Sequence, residues 1–302
     1  MSNKALNRCR SATDNDEFYT LYEDIESEVK YYHSQLKGKT VYCNCDNPLQ
    51  SNFVRYFVRN FRLIGLKRLI ATGLMRERER ERERGLLIDL TSVPESEDEL
   101  TEWISANVQT ISDGRFQSEF CRELLKESDV VITNPPFSLY REWYDLVKEY
   151  GKQYLVLANM NTCLSANISA DIIEGKARFG CEVKNRNYVF STPSGENKSL
   201  GYICWMTNLQ TIEKPFLPLI EKDLSCYDKY DGQNVLKIPK LSEIPRDYDG
   251  IMGVPITILF KHNPNQFKLI GLAKHGKDNR YDLFSPRFHN KECYTTILIQ
   301  KR

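Results

Sequence analysis

The run Val130-Val131-Ile132-Thr133, closed by Asn134-Pro135-Pro136-Phe137, constrains the fold of this chain more than any other stretch. Four consecutive β-favouring residues without alternation read as a strand buried on both faces, as in a parallel sheet. Two successive prolines stop it, because each fixes φ and removes a backbone donor. Beyond them Leu139, Trp143, Leu146 and Val147 fall on one helical face, with Ser138 expected as the N-cap. Strand, stiff loop and helix in that order are the building block of an α/β sheet, and such sheets bind ligands at the carboxyl ends of their strands.

The same alternation recurs through the first 209 residues. Strands are expected at Thr40–Cys45, Lys67–Thr72, Asp129–Thr133 and Gln153–Ala158. After Ser51, a candidate N-cap, Phe53, Val54, Phe57, Val58, Phe61 and Ile64 share one helical face. Asn187–Thr192 and Leu200–Asn208 are close enough in sequence to form an antiparallel pair. Arg76–Arg84 alternates Arg and Glu without exception. As a helix it would set like charges at i,i+4, so it reads as part of a solvated, charged insertion over about residues 75–105. A repetitive DNA tract prone to slippage would encode such a dipeptide repeat, and mixed codons there would exclude that origin. From about Gln210 the text becomes proline-rich, and Val254–Phe260 and Gln266–Ile270 read as two strands about a turn. The expected organisation is an α/β domain over 1–209 and a smaller β-rich region over 210–302.

A net charge of +1 conceals an asymmetry between these parts. Residues 1–209 carry 27 Lys/Arg and 30 Asp/Glu, whereas residues 210–302 carry 15 and 11. The last 42 residues hold 9 basic and 3 acidic side chains and three of the four histidines, so a polyanion would be met mainly there. The nine cysteines are scattered over apolar stretches and are expected as reduced core thiols, and no spacing suggests a metal site. Without a signal peptide or an apolar run of 18 residues, the chain is expected to be soluble and cytoplasmic.

The residue types of the 134–137 loop suit one chemistry in particular. An exocyclic amine on a planar base is a weak nucleophile, because its lone pair is delocalised into the ring. Two hydrogen-bond acceptors realign it, and the Asn134 side-chain oxygen and the Pro135 carbonyl are of the right kind. Phe137 would stack on the base, a contact worth about 1–3 kcal/mol that partly offsets taking the base out of a duplex. Methyl transfer is then a direct displacement in which positioning supplies much of the rate.

With the loop, the sheet and the basic C-terminal part in view, the chain resembles the EcoRI methylase family of adenine-specific DNA methyltransferases. The resemblance spans nearly the whole chain. Besides Asn134–Phe137 it rests on Asp16-Glu17-Phe18-Tyr19-Thr20, Tyr42-Cys43-Asn44-Cys45-Asp46-Asn47-Pro48, Asp113-Gly114-Arg115-Phe116, Tyr202–Asn208 and Asp249–Thr257. It implies a Rossmann-like sheet with a C-terminal target-recognition region, and S-adenosylmethionine as the methyl donor. The donor site would comprise Phe18, Tyr19, Thr20, Asn44, Asp46 and Asp113. Asp46 would face a cationic donor from the end of the first strand, or else serve as a dipole-favoured residue at a helix N-terminus. Tyr19 would equally serve as core packing.

Two departures stand out. The first loop lacks a glycine-rich fingerprint, and the second strand ends Ala71-Thr72-Gly73 with no acid. Arg115 stands where family members often carry Asp. The resemblance further implies double-stranded DNA as partner, with Lys274, His275, Lys277, Arg280 and Arg287 as candidate contacts, and a cognate restriction endonuclease acting on the same site. Tyr188 and Phe190 would line a flipped-base pocket or be a half-buried strand. The alternatives are an RNA or protein-glutamine N-methyltransferase, and a non-catalytic DNA-binding protein of the same fold.

Overall fold

In the computed structural model, which describes residues 19–77, 82–95, 100–182, 187–192 and 196–302, the apolar runs become strands of a mixed sheet. The chain divides into two compact units, residues 1–162 with 180–211, and residues 163–179 with 212–302. The second unit therefore takes in residues 163–179, which the sequence grouped with the α/β part.

The first unit carries strands β1 (Tyr19–Thr20), β2 (Thr40–Cys43), β3 (Arg68–Glu77), β4 (Arg82–Leu90), β5 (Gln109–Ile111), β6 (Val130–Thr133), β7 (Gln153–Asn159), β8 (Tyr188–Ser191), β9 (Asn197–Leu200) and β10 (Ile203–Thr207). Its helices are α1 (Tyr22–Val29), α2 (Asn52–Ile64), α3 (Leu100–Asn107), α4 (Glu119–Glu127) and α5 (Tyr140–Glu149). Seven strands lie in the order β5-β4-β3-β2-β6-β7-β10. The four central ones are parallel, and β4, β5 and β10 run antiparallel to their neighbours. From β2 the chain passes to β3 on one side and later to β6 on the other, so the strand order switches direction at β2. Loops leaving β2 and β6 at their carboxyl ends diverge there and open a crevice.

Local signals explain these elements. Ser51 caps α2 by accepting from the N–H groups of Phe53 and Val54, and Gly65 closes it in the left-handed conformation at φ +72°. Apolar faces of α1 and α2 and the central strands share one core, with Ile25, Phe53, Phe57, Leu69, Val130, Ile132, Leu155 and Trp205 nearly or fully buried. Arg68 locks the far end of the sheet. Its guanidinium donates to both oxygens of Asp89 at 2.7 and 2.6 Å and to Glu127 at 2.6 Å, tying β3 to β4 and α4.

Four expectations change. The second strand does not stop at Thr72 but runs to Glu77 and pairs with β4, so the flanks of the Arg-Glu tract are sheet rather than solvated insertion; residues 78–81 and 96–99 lie outside the described residues. Tyr188–Ser191 pairs with β9 and β1, whereas Ile203–Thr207 pairs with β7, so the expected antiparallel partners belong to different sheets. Leu139, not Ser138, is the N-cap of α5, because Phe137–Leu139 forms a 3₁₀ turn, and Leu139 is partly exposed while Trp143, Leu146 and Val147 are buried.

The fourth change lies in the second unit, which holds helix α6 (Ala166–Ile173) and strands β11 (Leu236–Lys237), β12 (Met252–Pro255), β13 (Phe267–Ala273), β14 (Asp282–Phe284) and β15 (Thr296–Lys301). They form a sheet in the order β11-β12-β15-β13-β14. β12 and β13 both pair with β15, not with each other, and Ile256–Phe260 is a 3₁₀ helix begun after Pro255. No helix among the described residues is long and apolar enough to cross a membrane.

Candidate active site

The crevice beside β2 is a cavity of about 280 Å³, lined in part by Tyr19, Thr20, Asn44, Asp46, Gly73, Glu83, Gly114, Arg115 and the whole of Asn134-Pro135-Pro136-Phe137. Its volume is near the lower end of the range for small-molecule sites, roughly 300–1,000 Å³. Three loops converge on it, after β2, after β5 and after β6, together with the short strand β1.

Asp46 holds the first and third of these loops together. Its carboxylate accepts from Ser51 Oγ at 2.7 Å, from Thr133 Oγ1 and from the Asn134 backbone N–H. The N-cap of α2, the end of β6 and the start of the proline loop are thus fastened to one buried side chain. Burial pushes the Asp46 carboxyl up to about 6, although these three hydrogen bonds act to lower it. Holding it ionised above that pH costs the protein alone about 3 kcal/mol, since a folded value above the unfolded one favours the fold at low pH and penalises it as pH rises from about 4 through 6. A carboxylate kept buried at such a cost, in a crevice, is a candidate partner for a cationic ligand.

The remaining walls are backbone laid on backbone. A Cβ on Gly73 would lie 2.5 Å from Asn47 N, one on Gly85 2.5 Å from Gly114 N, and one on Gly114 2.0 Å from the Gly73 carbonyl oxygen. These three glycines bring β3, β4 and two loops closer than any side chain would allow. Their distance in sequence hides them.

The 134–137 loop presents a defined set of groups. Pro136 accepts from the Leu139 N–H at 3.0 Å and fixes the turn, so of the two proline carbonyls that of Pro135 is left for a substrate among the described residues. Phe137 meets Phe190 edge-on with centroids 6.4 Å apart, and Phe190 stacks on Tyr188 at 6.3 Å. Tyr188 and Phe190 are buried behind Phe137 and do not line the cavity, so they buttress the loop rather than touch a base.

The other predicted residues divide. Tyr19, Thr20, Asn44 and Asp46 line the cavity; Phe18 lies outside the described residues. Thr20 Oγ1 is buried there without a hydrogen-bond partner among the described residues, an atom that a polar ligand would satisfy. The Asn44 side-chain oxygen accepts from Trp143 Nε1 at 2.9 Å, which leaves its amide nitrogen to offer. Asp113 is not part of the lining. Its carboxylate accepts from the Arg115 N–H at 2.9 Å and shapes the loop, while Gly114, Arg115, Phe116 and Gln117 form the wall. Two carboxylates, an orphaned hydroxyl and a donor amide suit a cationic ligand bearing hydroxyl groups. Sequence reasoning missed Glu83, and its signal was the strand-like period of two in the tract itself.

In the second unit Lys274 is not a surface cation. Only 11% of its side chain is exposed, and its Nζ bonds Asp278 at 2.7 Å and lies 3.8 Å from the buried Asp282. It staples the 274–282 loop instead. Arg280 is exposed while paired with Glu174, Arg287 lies 3.9 Å from Glu292, His275 bonds the Cys293 carbonyl, and Lys277 is exposed.

A family model described as adenine-specific methyltransferase EcoRI matches residues 5–296 of the chain. The Type II methyltransferase M.EcoRI of Escherichia coli is 36% identical over 337 aligned positions, covering all of this chain and 97% of the relative. M.MpnI of Mycoplasma pneumoniae, also named a Type II methyltransferase, is 33% identical over 286 positions, 88% of this chain and 84% of its own length. M.MgeORF184P of Mycoplasma genitalium is 32% identical with similar coverage. No solved structure matches the chain.

Proposed function

Since the chain belongs to the EcoRI family of adenine-specific methyltransferases, we propose that it methylates N6 of an adenine turned out of duplex DNA at a specific site, drawing the methyl group from S-adenosylmethionine. The observation that carries this reading is the placement of Asn134, Pro135 and Phe137 in the same cavity as Asp46 and Thr20. When bound, S-adenosylmethionine supplies a methyl group on a sulfonium, which needs only an aligned nucleophile. Asn134 Oδ1 and the Pro135 carbonyl accept hydrogen bonds from the two amine N–H groups and turn the nitrogen lone pair out of conjugation; as the amine takes up the methyl group from the sulfur it releases one proton to solvent, and the thioether is the leaving group. Phe137, braced by Phe190, stacks on the base and excludes water from one face. Tyr19, Thr20, Asn44, Asp46 and the wall from Gly114 to Gln117 hold the donor, and Asp113 acts through Arg115.

Residues 210–302, with their excess of basic side chains, are proposed as the target-recognition region. His275, Lys277, Arg280 and Arg287 are the proposed DNA contacts, while the buried, paired state of Lys274 removes it from that set. The relatives are named Type II methyltransferases, which supports a role in restriction and modification, and a cognate endonuclease at the same site is the proposed partner. The test is incubation of the protein with labelled S-adenosylmethionine and unmethylated genomic DNA, followed by recovery of label in N6-methyladenine. Donor binding with label in RNA or protein instead would reassign the substrate.

The raised carboxyl of Asp46 sets a pH dependence. A cationic donor favours the ionised form, so binding lowers the carboxyl's pKa and releases a proton. Affinity is therefore full above about pH 6 and falls as pH drops through it. Calorimetric titration between pH 5 and pH 8 should show this loss, by up to about tenfold per pH unit. Asp46→Asn should remove it.

A further inference from the structure

The Arg76–Arg84 tract is the one sequence motif left without a task by a methyltransferase reading. The sheet supplies one. Pairing of β3 with β4 sets Leu74 opposite Gly85 and Arg76 opposite Glu83, so Leu74, Glu83 and Gly85 belong to one face of the hairpin. That face meets the loop after β5, where the Cα of Gly85 packs against Gly114. Leu74, Glu83 and Gly114 all line the cavity. Among the described lining residues Glu83 and Asp46 are the two carboxylates and Arg115 is the one cation. Arg115 forms an ion pair with Glu83 and is itself held by Asp113, whose Oδ2 lies 3.6 Å from its guanidinium.

We propose that Glu83, delivered to the cavity by the Arg-Glu tract, is a donor-binding carboxylate oriented by Arg115, and that the tract's period of two keeps a glutamate there when its length changes by whole Arg-Glu pairs. The inference rests on the reading of S-adenosylmethionine as donor. A carboxylate only accepts hydrogen bonds, so Glu83 matches the hydroxyl and ammonium groups of that molecule. A strand slipped by one residue turns every side chain to the opposite face. In this tract such a slip would replace glutamate by arginine and set a guanidinium against a cationic ligand. A slip of two restores glutamate and still sets Arg against Glu across the hairpin, as in the pairs Arg76 with Glu83 and Glu77 with Arg82.

The structural contribution of Glu83 is separable from this role. Its side chain is 32% exposed and that of Arg115 51%, and ion pairs so open to solvent add little to stability. The experiment is calorimetric titration of S-adenosylmethionine into four full-length proteins: unaltered, Glu83→Gln, one Arg-Glu pair added within the tract, and one from which Arg84 is deleted. Thermal unfolding and the donor KM and kcat are measured on the same samples. Glu83→Gln should weaken donor binding about ten- to a hundredfold, the worth of hydrogen bonds to a charged group. Its unfolding temperature should be preserved, and the donor KM should rise with the loss of affinity. Deletion of Arg84 brings Arg82 to the second position before Gly85 and should lose donor affinity to at least the same degree, and the added pair should keep it. Equal binding by Glu83→Gln and the unaltered protein overturns the assignment of Glu83. Loss of binding on adding a whole pair overturns the role of the period. Failure of the unaltered protein to bind sinks the donor reading, and this inference with it.

Discussion

Replacing Asn134 with Ala should lower the methylation rate constant by about 10²–10³, the cost of removing one preorganised polar group at a reacting centre. Donor affinity should stay close to that of the unaltered protein. The effect is local: in the proposed mechanism the Asn134 side chain serves the amine, whereas its backbone N–H bonds Asp46 and survives the substitution. The proline turn also survives, because its hydrogen bond runs between the Pro136 carbonyl and the Leu139 N–H. Asn134→Asp keeps a side-chain acceptor and should retain more activity than Asn134→Ala. Single-turnover kinetics on a methylatable duplex, with donor titrations alongside, separate the two contributions. A rate unchanged in Asn134→Ala would remove the side chain from the mechanism.

Gly114→Ala should have a comparable effect by a different route. The added Cβ would fall 2.0 Å from the Gly73 carbonyl oxygen, 2.8 Å from its carbon and 3.1 Å from Gly85 Cα, all backbone atoms within a sheet and its loop. No side-chain rotation relieves such a contact, so the wall must move. Overpacking of this kind costs about 1–3 kcal/mol or more, and here the displaced wall is that of the cavity. The expected result is a lowered unfolding temperature together with weakened donor binding. Gly201→Ala is the control, since its Cβ would meet nothing closer than Asn187 Oδ1 at 3.4 Å. Equal unfolding temperatures for the two variants would show that the loop after β5 gives way freely.

The parts of the fold legible in the sequence are those in which hydrophobicity and period agree. β2, α2, β6 and β7 each announce themselves by an apolar run or stripe with a capping or breaking residue at the end. The 134–137 loop is legible because prolines leave the backbone few choices. The Arg-Glu tract conveyed the opposite impression, since its residues carry no hydrophobic signal and its charges suggest solvent. Its period of two is nevertheless that of a strand, and the backbone register sets Arg76 opposite Glu83 and Glu77 opposite Arg82.

Pairing was harder to read than strand identity. Tyr188–Ser191 and Ile203–Thr207 are neighbours in sequence, yet the short segment Asn197–Leu200 between them satisfies the first and frees the second to join β7. In the site, Asn44 and Asp46 follow from their place at the end of β2. Lys274 illustrates the reverse case, because Asp278 and Asp282, four and eight residues on, neutralise it only once the loop closes.

The indole of Trp143 makes the crevice visible to light. This side chain is fully buried, and its Nε1 is bonded to Asn44, whose residue forms part of the cavity wall. Indole emission responds to the polarity and hydrogen bonding of its surroundings, so any ligand that draws on the Asn44 amide changes the field at one chromophore held one hydrogen bond away. The protein therefore carries an intrinsic optical reporter of occupancy, and Trp143→Phe is the variant that would silence it.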